Sequence, residues 1–176
     1  MNVTVNGEYL PHGVGDPYFY VRFKSDTGEP VIERKEIERI TIDKKKTTYF
    51  DEDNYLLTAD NMSSICAFWE REDAEKWLSD HFNGLKFEPE DTFYIIENGS
   101  IVPIRLRESD FITILDGQIW YEFEISVRSF GAAGPRYIFV NHDTGLRRNV
   151  LGWSDPIKNC PAVFPSYEDA KKWLTV

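Results

Sequence analysis

The amino-acid sequence predicts an α+β protein built from two degenerate repeats of antiparallel strands, each closed by one amphipathic helix packed on sheet, at 1–84 and 85–176. Three observations carry that prediction. Phe68–Leu78 reads FWEREDAEKWL and Phe164–Leu174 reads FPSYEDAKKWL, so a Glu-Asp-Ala and Lys-Trp-Leu frame recurs. Upstream, Tyr20-Val21 with Asp26-Thr27-Gly28 matches Tyr137-Ile138 with Asp143-Thr144-Gly145, and Val5-Asn6-Gly7 resembles Glu97-Asn98-Gly99, in the same order in both halves. Between these blocks the chain alternates apolar and polar residues with the period of a half-buried strand.

Taken in order, Asn6-Gly7 between apolar runs predicts a hairpin, because a tight type I′ turn needs positive φ at both central positions. The aromatic-rich run Tyr20–Phe23 predicts a strand, and Asp26-Thr27-Gly28 a turn at its end. Pro30 could open a short helix over Glu29–Arg39, but Ile32, Ile37 and Ile40 fit no helical stripe, so this segment is expected to be strand. Ile40–Ile42 and Thr47–Phe50 flank Lys44–Lys46, which predicts a hairpin with a lysine-rich tip. Ala74, Trp77, Leu78 and Phe82 then lie at i, i+3, i+4 and i+8, one face of a helix whose other side carries Glu72, Asp73, Glu75 and Lys76.

In the second half, Asn98-Gly99 predicts another tight hairpin, followed by Val102, Ile104 and Leu106 opposite Arg105 and Arg107. Asp116-Gly117 turns Phe111–Leu115 back onto a strand with Ile119, Tyr121, Phe123, Ile125 and Val127 on one face. Its other face carries Trp120, Glu122, Glu124, Ser126 and Arg128. Ser129–Pro135 (SFGAAGP) reads as a loop between strands. Ser166 with Asp169 three residues later predicts a capped final helix, whose Ala170, Trp173 and Leu174 would close the core as Ala74, Trp77 and Leu78 do in the first copy.

At 176 residues the chain has room for one domain or two small ones, and with 41% hydrophobic and 15% aromatic residues it is expected to pack a core rather than stay disordered. No apolar run approaches the ~20 residues of a membrane-spanning helix, and the opening MNVTVNGEYL lacks the basic and apolar regions of a signal peptide, so a cytoplasmic protein is expected. The net charge of −10 opposes a sequence-independent nucleic-acid binder, which must neutralise phosphates; an acidic surface serves solubility first, and also steers toward partners with a basic surface. Cys66 and Cys160 occupy non-equivalent positions and are expected to be free, buried thiols.

No catalytic, metal-binding or cofactor motif stands out. Cys160 with His142 and Asp143 supplies the residue types of a nucleophilic site, but no strained-turn or spacing motif supports it. There is no Cys-x-x-Cys, no His pair at helix spacing and no Asp-x-Asp-x-Asp-Gly loop. Asp51, Glu52 and Asp53 are expected to balance Lys44–Lys46 across the hairpin. Binding has more to work with. Trp120 with Arg105, Arg107 and Arg128 forms either an interface or the inner side of a second packed layer. The acidic runs Asp51–Asp53 and Glu70–Glu75, with Glu70 and Glu72 foremost in the second, are candidates to face a basic partner.

The blocks Tyr20–Gly28 with Ala67–Leu78, and Tyr137–Gly145 with Val163–Leu174, resemble small accessory proteins common in bacteriophage genomes. Those chains have a short aromatic-rich hairpin, a polar link, and a Phe ahead of a Glu/Asp-x-Ala-x-x-Trp/Phe-Leu helix. The resemblance implies a non-enzymatic protein that binds and inhibits or redirects a host protein, in host defence or nucleic-acid metabolism, without itself binding nucleic acid or membrane. The matching positions are structural, so no functional residue follows from it. Two alternatives stay open: a nucleic-acid mimic that occludes a DNA- or RNA-binding groove, and a small enzyme using Cys160 and His142.

Overall fold

The computed structural model describes residues 3–5, 8–43, 46–125, 136–149 and 161–175. Among them, thirteen strands lie in two curled antiparallel sheets and a separate hairpin, with two helices of 11 and 8 residues. The fold is therefore mostly β, which corrects the expected α+β architecture of two helix-closed repeats. Helices this short are marginal without tertiary support, and each fully buries one alanine, Ala74 or Ala170. They are too small to form a layer over sheets whose own side chains make the cores.

The chain divides into two compact units: Met1–Arg22, Pro30–Asp80 and Ile114–Gly117 form the first, and Phe23–Glu29, His81–Thr113 and Gln118–Val176 the second. In the first, β1 (Val3–Val5) pairs with β2 (Glu8–Leu10), Val5 opposite Glu8; the turn residues Asn6 and Gly7 lie outside the described residues. β3 (Pro17–Phe23), β4 (Pro30–Asp43), β5 (Lys46–Asp51), β6 (Leu56–Leu57) and β7 (Ala67–Phe68) form a sheet in the order β6-β5-β4-β3-β7. The segment is thus strand from Pro30 onward, and the register slips between Ile37 and Arg39. A bulge adds one residue to one strand and reverses the alternation beyond it. Ile37 and Ile40, three apart, both pack on the cluster of Tyr18, Tyr49, Leu57, Met62 and Ala67 for that reason. The lysine-rich tip lies partly outside the described residues, but Asp43 pairs with Lys46 as a hairpin there requires. Helix α1 (Arg71–His81) places Ala74, Trp77 and Leu78 against Val21 and Cys66.

In the second unit, β8 (Phe93–Glu97), β9 (Ser100–Leu106), β11 (Gln118–Ile125), β12 (Arg136–Asn141) and β13 (Arg147–Asn149) run in the order β13-β12-β11-β9-β8; of β10 (Ile112–Leu115), only Ile112 and Thr113 belong to this unit. Asn98-Gly99 and Asp116-Gly117 all take positive φ, from 51° to 76°, as the two-residue turns predicted from their sequences demand. Ile119, Tyr121, Phe123 and Ile125 are buried, and Phe123 sits opposite both Leu106 and Ile138. Phe87 meets Phe93, Tyr121 and Phe123 edge to face at 4.9–5.2 Å. Helix α2 (Tyr167–Leu174) starts at Ser166, whose Oγ accepts from Asp169 N at 3.1 Å, the predicted cap. Trp173 packs on Ile96 and Phe164, but Leu174 is 41% exposed and does not join the face that closes the core.

Two of the recurring blocks have different outcomes. The Asp-Thr-Gly turns are built alike: Gly28 N donates to Lys24 O and Gly145 N to Asn141 O, both at 2.9 Å. Lys24 N likewise donates to Glu29 O and Asn141 N to Leu146 O. The helix blocks attach differently. Phe68 pairs with Phe19 of β3, whereas Phe164 bridges Tyr94 of β8, not β12, which matches β3 in sequence. A shared local motif fixes a turn or a cap, while strand partners are chosen by long-range burial.

Candidate functional site

The groove in the first unit that gathers the most interaction-prone side chains lies at the start of α1. The loop before β3 is fixed by its own backbone: Gly13 N donates to Asp16 Oδ2 at 2.6 Å, and Gly15 N and Asp16 O bond the two backbone groups of Ile37 at 2.8 and 3.0 Å. This holds His12 flat on Trp69, with ring centroids 3.6 Å apart and planes 14° from parallel. Tyr49 meets the edges of both rings. Pro11, Pro17 and Phe19 add apolar lining, and Asp16, Glu70 and Glu72 line the same groove with one cation, Arg71, which pairs with Glu75 at 2.8 Å. Burial holds the His12 imidazole below its ordinary value, against the opposing pull of Asp16 and Glu70. The arrangement is an aromatic platform with carboxylates around it, suited to an apolar contact from a positively charged partner.

The sequence-predicted residues fall in different places. Glu70 and Glu72 are exposed and line this groove. Asp51 is only 3% exposed: its Oδ1 accepts from Asp53 N and Tyr55 N at 2.9 and 2.8 Å, and its Oδ2 from Tyr18 Oη at 2.6 Å. It holds a turn and is not part of a surface run. Glu52 and Asp53 grip Lys35 Nζ at 3.1 and 2.7 Å; Lys44 and Lys45, which they were expected to balance, lie outside the described residues.

Trp120 is 6% exposed and belongs to the interior of the second unit, so it does not share an open face with the arginines. Its Nε1 has no hydrogen-bond partner among the described residues. Arg105 is exposed and reaches Thr92 Oγ1 at 3.3 Å. Arg107 pairs with Glu122 at 3.1 Å and lies over the Tyr137 ring. Arg128 lies outside the described residues, as do Cys160 and the Ser129–Pro135 loop.

His142 is buried. Tyr121 Oη accepts from Lys86 N at 2.9 Å, which leaves its own proton to point at His142 Nδ1, 3.0 Å away. Lys86 Nζ donates to the His142 carbonyl. Burial first, then the Lys86 charge, lowers the imidazole's affinity for a proton. The ring therefore ties loop to sheet. Cys66 is buried and free, and burial pushes its thiol up to about 12. Among the described residues no cluster of His, Cys, Asp or Glu could hold a metal ion, and no helix is long and apolar enough to cross a membrane.

Sequence reasoning passed over Trp69 and His12. Two signals pointed to them: Trp69 stands where the second copy has Pro165, a divergence within the strongest repeat block, and His12 sits in the Pro-His-Gly-Val-Gly-Asp-Pro loop. No protein-family model matches the chain, and no curated protein or solved structure shows significant similarity to it.

Proposed function

We propose that this chain is a binding protein, of the phage-accessory kind, that docks a basic segment of a host protein and thereby inhibits or redirects it. The observation that carries this reading is the groove where Trp69 stacks on His12 and whose lining holds three carboxylates, Asp16, Glu70 and Glu72, against the single cation Arg71. Tryptophan at the centre of a contact, surrounded by polar groups that exclude water, is the composition of an interaction hot spot. The net charge of −10 favours the approach of a basic partner over long range.

The test is affinity capture from host lysate at low and high salt, with the intact chain and with the variants Trp69→Ala and Glu70→Lys/Glu72→Lys. A specific partner should be lost with Trp69→Ala, a truncation expected to cost about 2 kcal/mol or more at a hot spot. The charge-reversed variant should retain it only weakly at low salt, and its deficit relative to the native chain should narrow as salt rises. A partner captured equally by the native chain and both variants, with circular dichroism showing intact folds, would refute the assignment of this groove.

A further inference from the structure

A second site lies elsewhere in the first unit, and its chemistry is independent of the groove. Tyr18, Tyr20, Tyr55 and Ile65 line a pocket of about 150 Å³, with Lys35, Asp51 and Asp53 completing the lining. Pockets that take whole small molecules run to ~300–1,000 Å³, so this one has room for a head group or the end of a side chain. We infer that it is a receptor for a methylated ammonium group, such as that of choline or of a trimethylated lysine side chain.

Three features point there. The first is charge. Asp51 is buried, with no cation in ion-pair contact among the described residues, and the one ammonium in the lining, Lys35, is shared by Glu52 and Asp53. Two carboxylates of the lining, Asp51 and Asp53, against one ammonium leave the site negative, and Glu52 holds that same ammonium from outside the lining. The second is aromatic content, since tyrosine rings attract a cation through their quadrupole, most of all one that is easily stripped of water.

The third is the state of the hydrogen bonds. Asp51 already accepts three, from Asp53 N, Tyr55 N and Tyr18 Oη, and Tyr20 Oη gives its proton to Glu33 at 2.5 Å. Asp53 Oδ2 is taken by Lys35. An anion would find both of these phenol protons committed and the ammonium already paired. A guanidinium or plain ammonium would need acceptors that are largely in use. A quaternary ammonium has no N–H to satisfy and needs only charge and rings.

The experiment titrates the full chain with tetramethylammonium and choline, and with 3,3-dimethyl-1-butanol, the uncharged isostere of choline, while following tyrosine ring protons by NMR. The cations should give saturable shifts, with the isostere weaker by about ten-fold. Tyr55→Ala removes a ring that is half exposed and leaves the backbone N–H that Asp51 accepts, so the fold should survive while cation affinity falls about five-fold or more. Lys35→Gln should strengthen binding by deleting the resident competitor. A further arm with N-acetyl-trimethyllysine amide identifies the source: tighter binding than choline points to a modified protein, weaker binding to a free small molecule. Equal binding of choline and its isostere, no saturable shift at millimolar cation, or unchanged affinity in Tyr55→Ala would each overturn the inference. Glu70→Gln/Glu72→Gln, at two exposed positions outside this lining, should weaken a partner in the groove and leave this binding intact, so failure of the pocket is distinguishable from failure of the groove.

Discussion

Replacing glycine by alanine in each of the two Asp-Thr-Gly turns separates backbone strain from packing. Gly28 and Gly145 have φ of +67° and +65°, donate equivalent hydrogen bonds, and both lie in the second unit. Alanine at either position meets the same left-handed penalty of about 1–2 kcal/mol. Their surroundings differ. A Cβ on Gly145 would have nothing within 4 Å, whereas one on Gly28 would lie 2.7 and 2.9 Å from Phe111 Cζ and Cε2 and 3.2 Å from Leu85 Cδ2. Phe111 is 1% exposed and cannot swing aside without disturbing the core. Forcing a methyl into a packed site costs about 1–3 kcal/mol. Gly28→Ala should therefore lose about 2–5 kcal/mol in all and Gly145→Ala about 1–2, the difference being the packing contribution. Urea unfolding followed by near-ultraviolet circular dichroism measures both. At a slope of ~1–3 kcal/mol per molar urea, the two midpoints should differ by about 1 M. Equal midpoints would refute the close contact with Phe111. A larger loss in Gly145→Ala would refute the comparison altogether.

Two further predictions follow from buried polar groups. Tyr18→Phe removes a hydrogen bond to a buried carboxylate and should destabilise the first unit by about 1.5–3 kcal/mol; Asp51→Ala should cost more, because it also orphans Asp53 N and Tyr55 N. A double-mutant cycle by urea unfolding checks this, and a Tyr18→Phe loss under about 0.5 kcal/mol would count against the bond. His142 has a folded pKa held below its ordinary 6.5, so its contribution to stability is present above pH 6.5 and declines as the pH falls through that value toward the folded one. Thermal unfolding of the second unit between pH 5 and 7 should show this slope (about pH 5 being where the imidazole is mostly charged when unfolded), and His142→Gln should flatten it; an unchanged slope would exclude His142 as its source.

What could be read from the sequence was chemistry decided within a few residues. Asn98-Gly99, Asp116-Gly117 and the Ser166–Asp169 cap each follow from φ requirements or a local hydrogen bond, and each is in place. Strand at 30–43 was legible because Ile32, Ile37 and Ile40 fit no helix, but their actual phase depends on the bulge at residues 37–39, which only pairing with β5 creates. The fold class was misjudged because two conspicuous helix blocks drew weight away from the strands. A recurring block also says nothing about which strand it will pair with, as Phe68 and Phe164 illustrate. For the sites, exposure was the missing quantity. Trp120 alternates with Ile119 and Tyr121 yet is buried like them, and Asp51 looked like one of three surface acids until its burial and its bond to Tyr18, 33 residues earlier, became visible. The tyrosines of the pocket come from β3 and from the turn after β5, so no short motif could have announced them.

Strand β3 divides its side chains between two separate clusters: Tyr18 and Tyr20 face one, Phe19 and Val21 the other. An amide in such a strand reaches solvent only when both clusters have come apart, so its exchange with deuterium reports the breakdown of the whole first unit rather than local fraying. That makes β3 the natural clock for this molecule. Any compound or partner that binds the first unit in its folded form should slow exchange along 18–22 by the full factor of its binding, whichever surface it occupies.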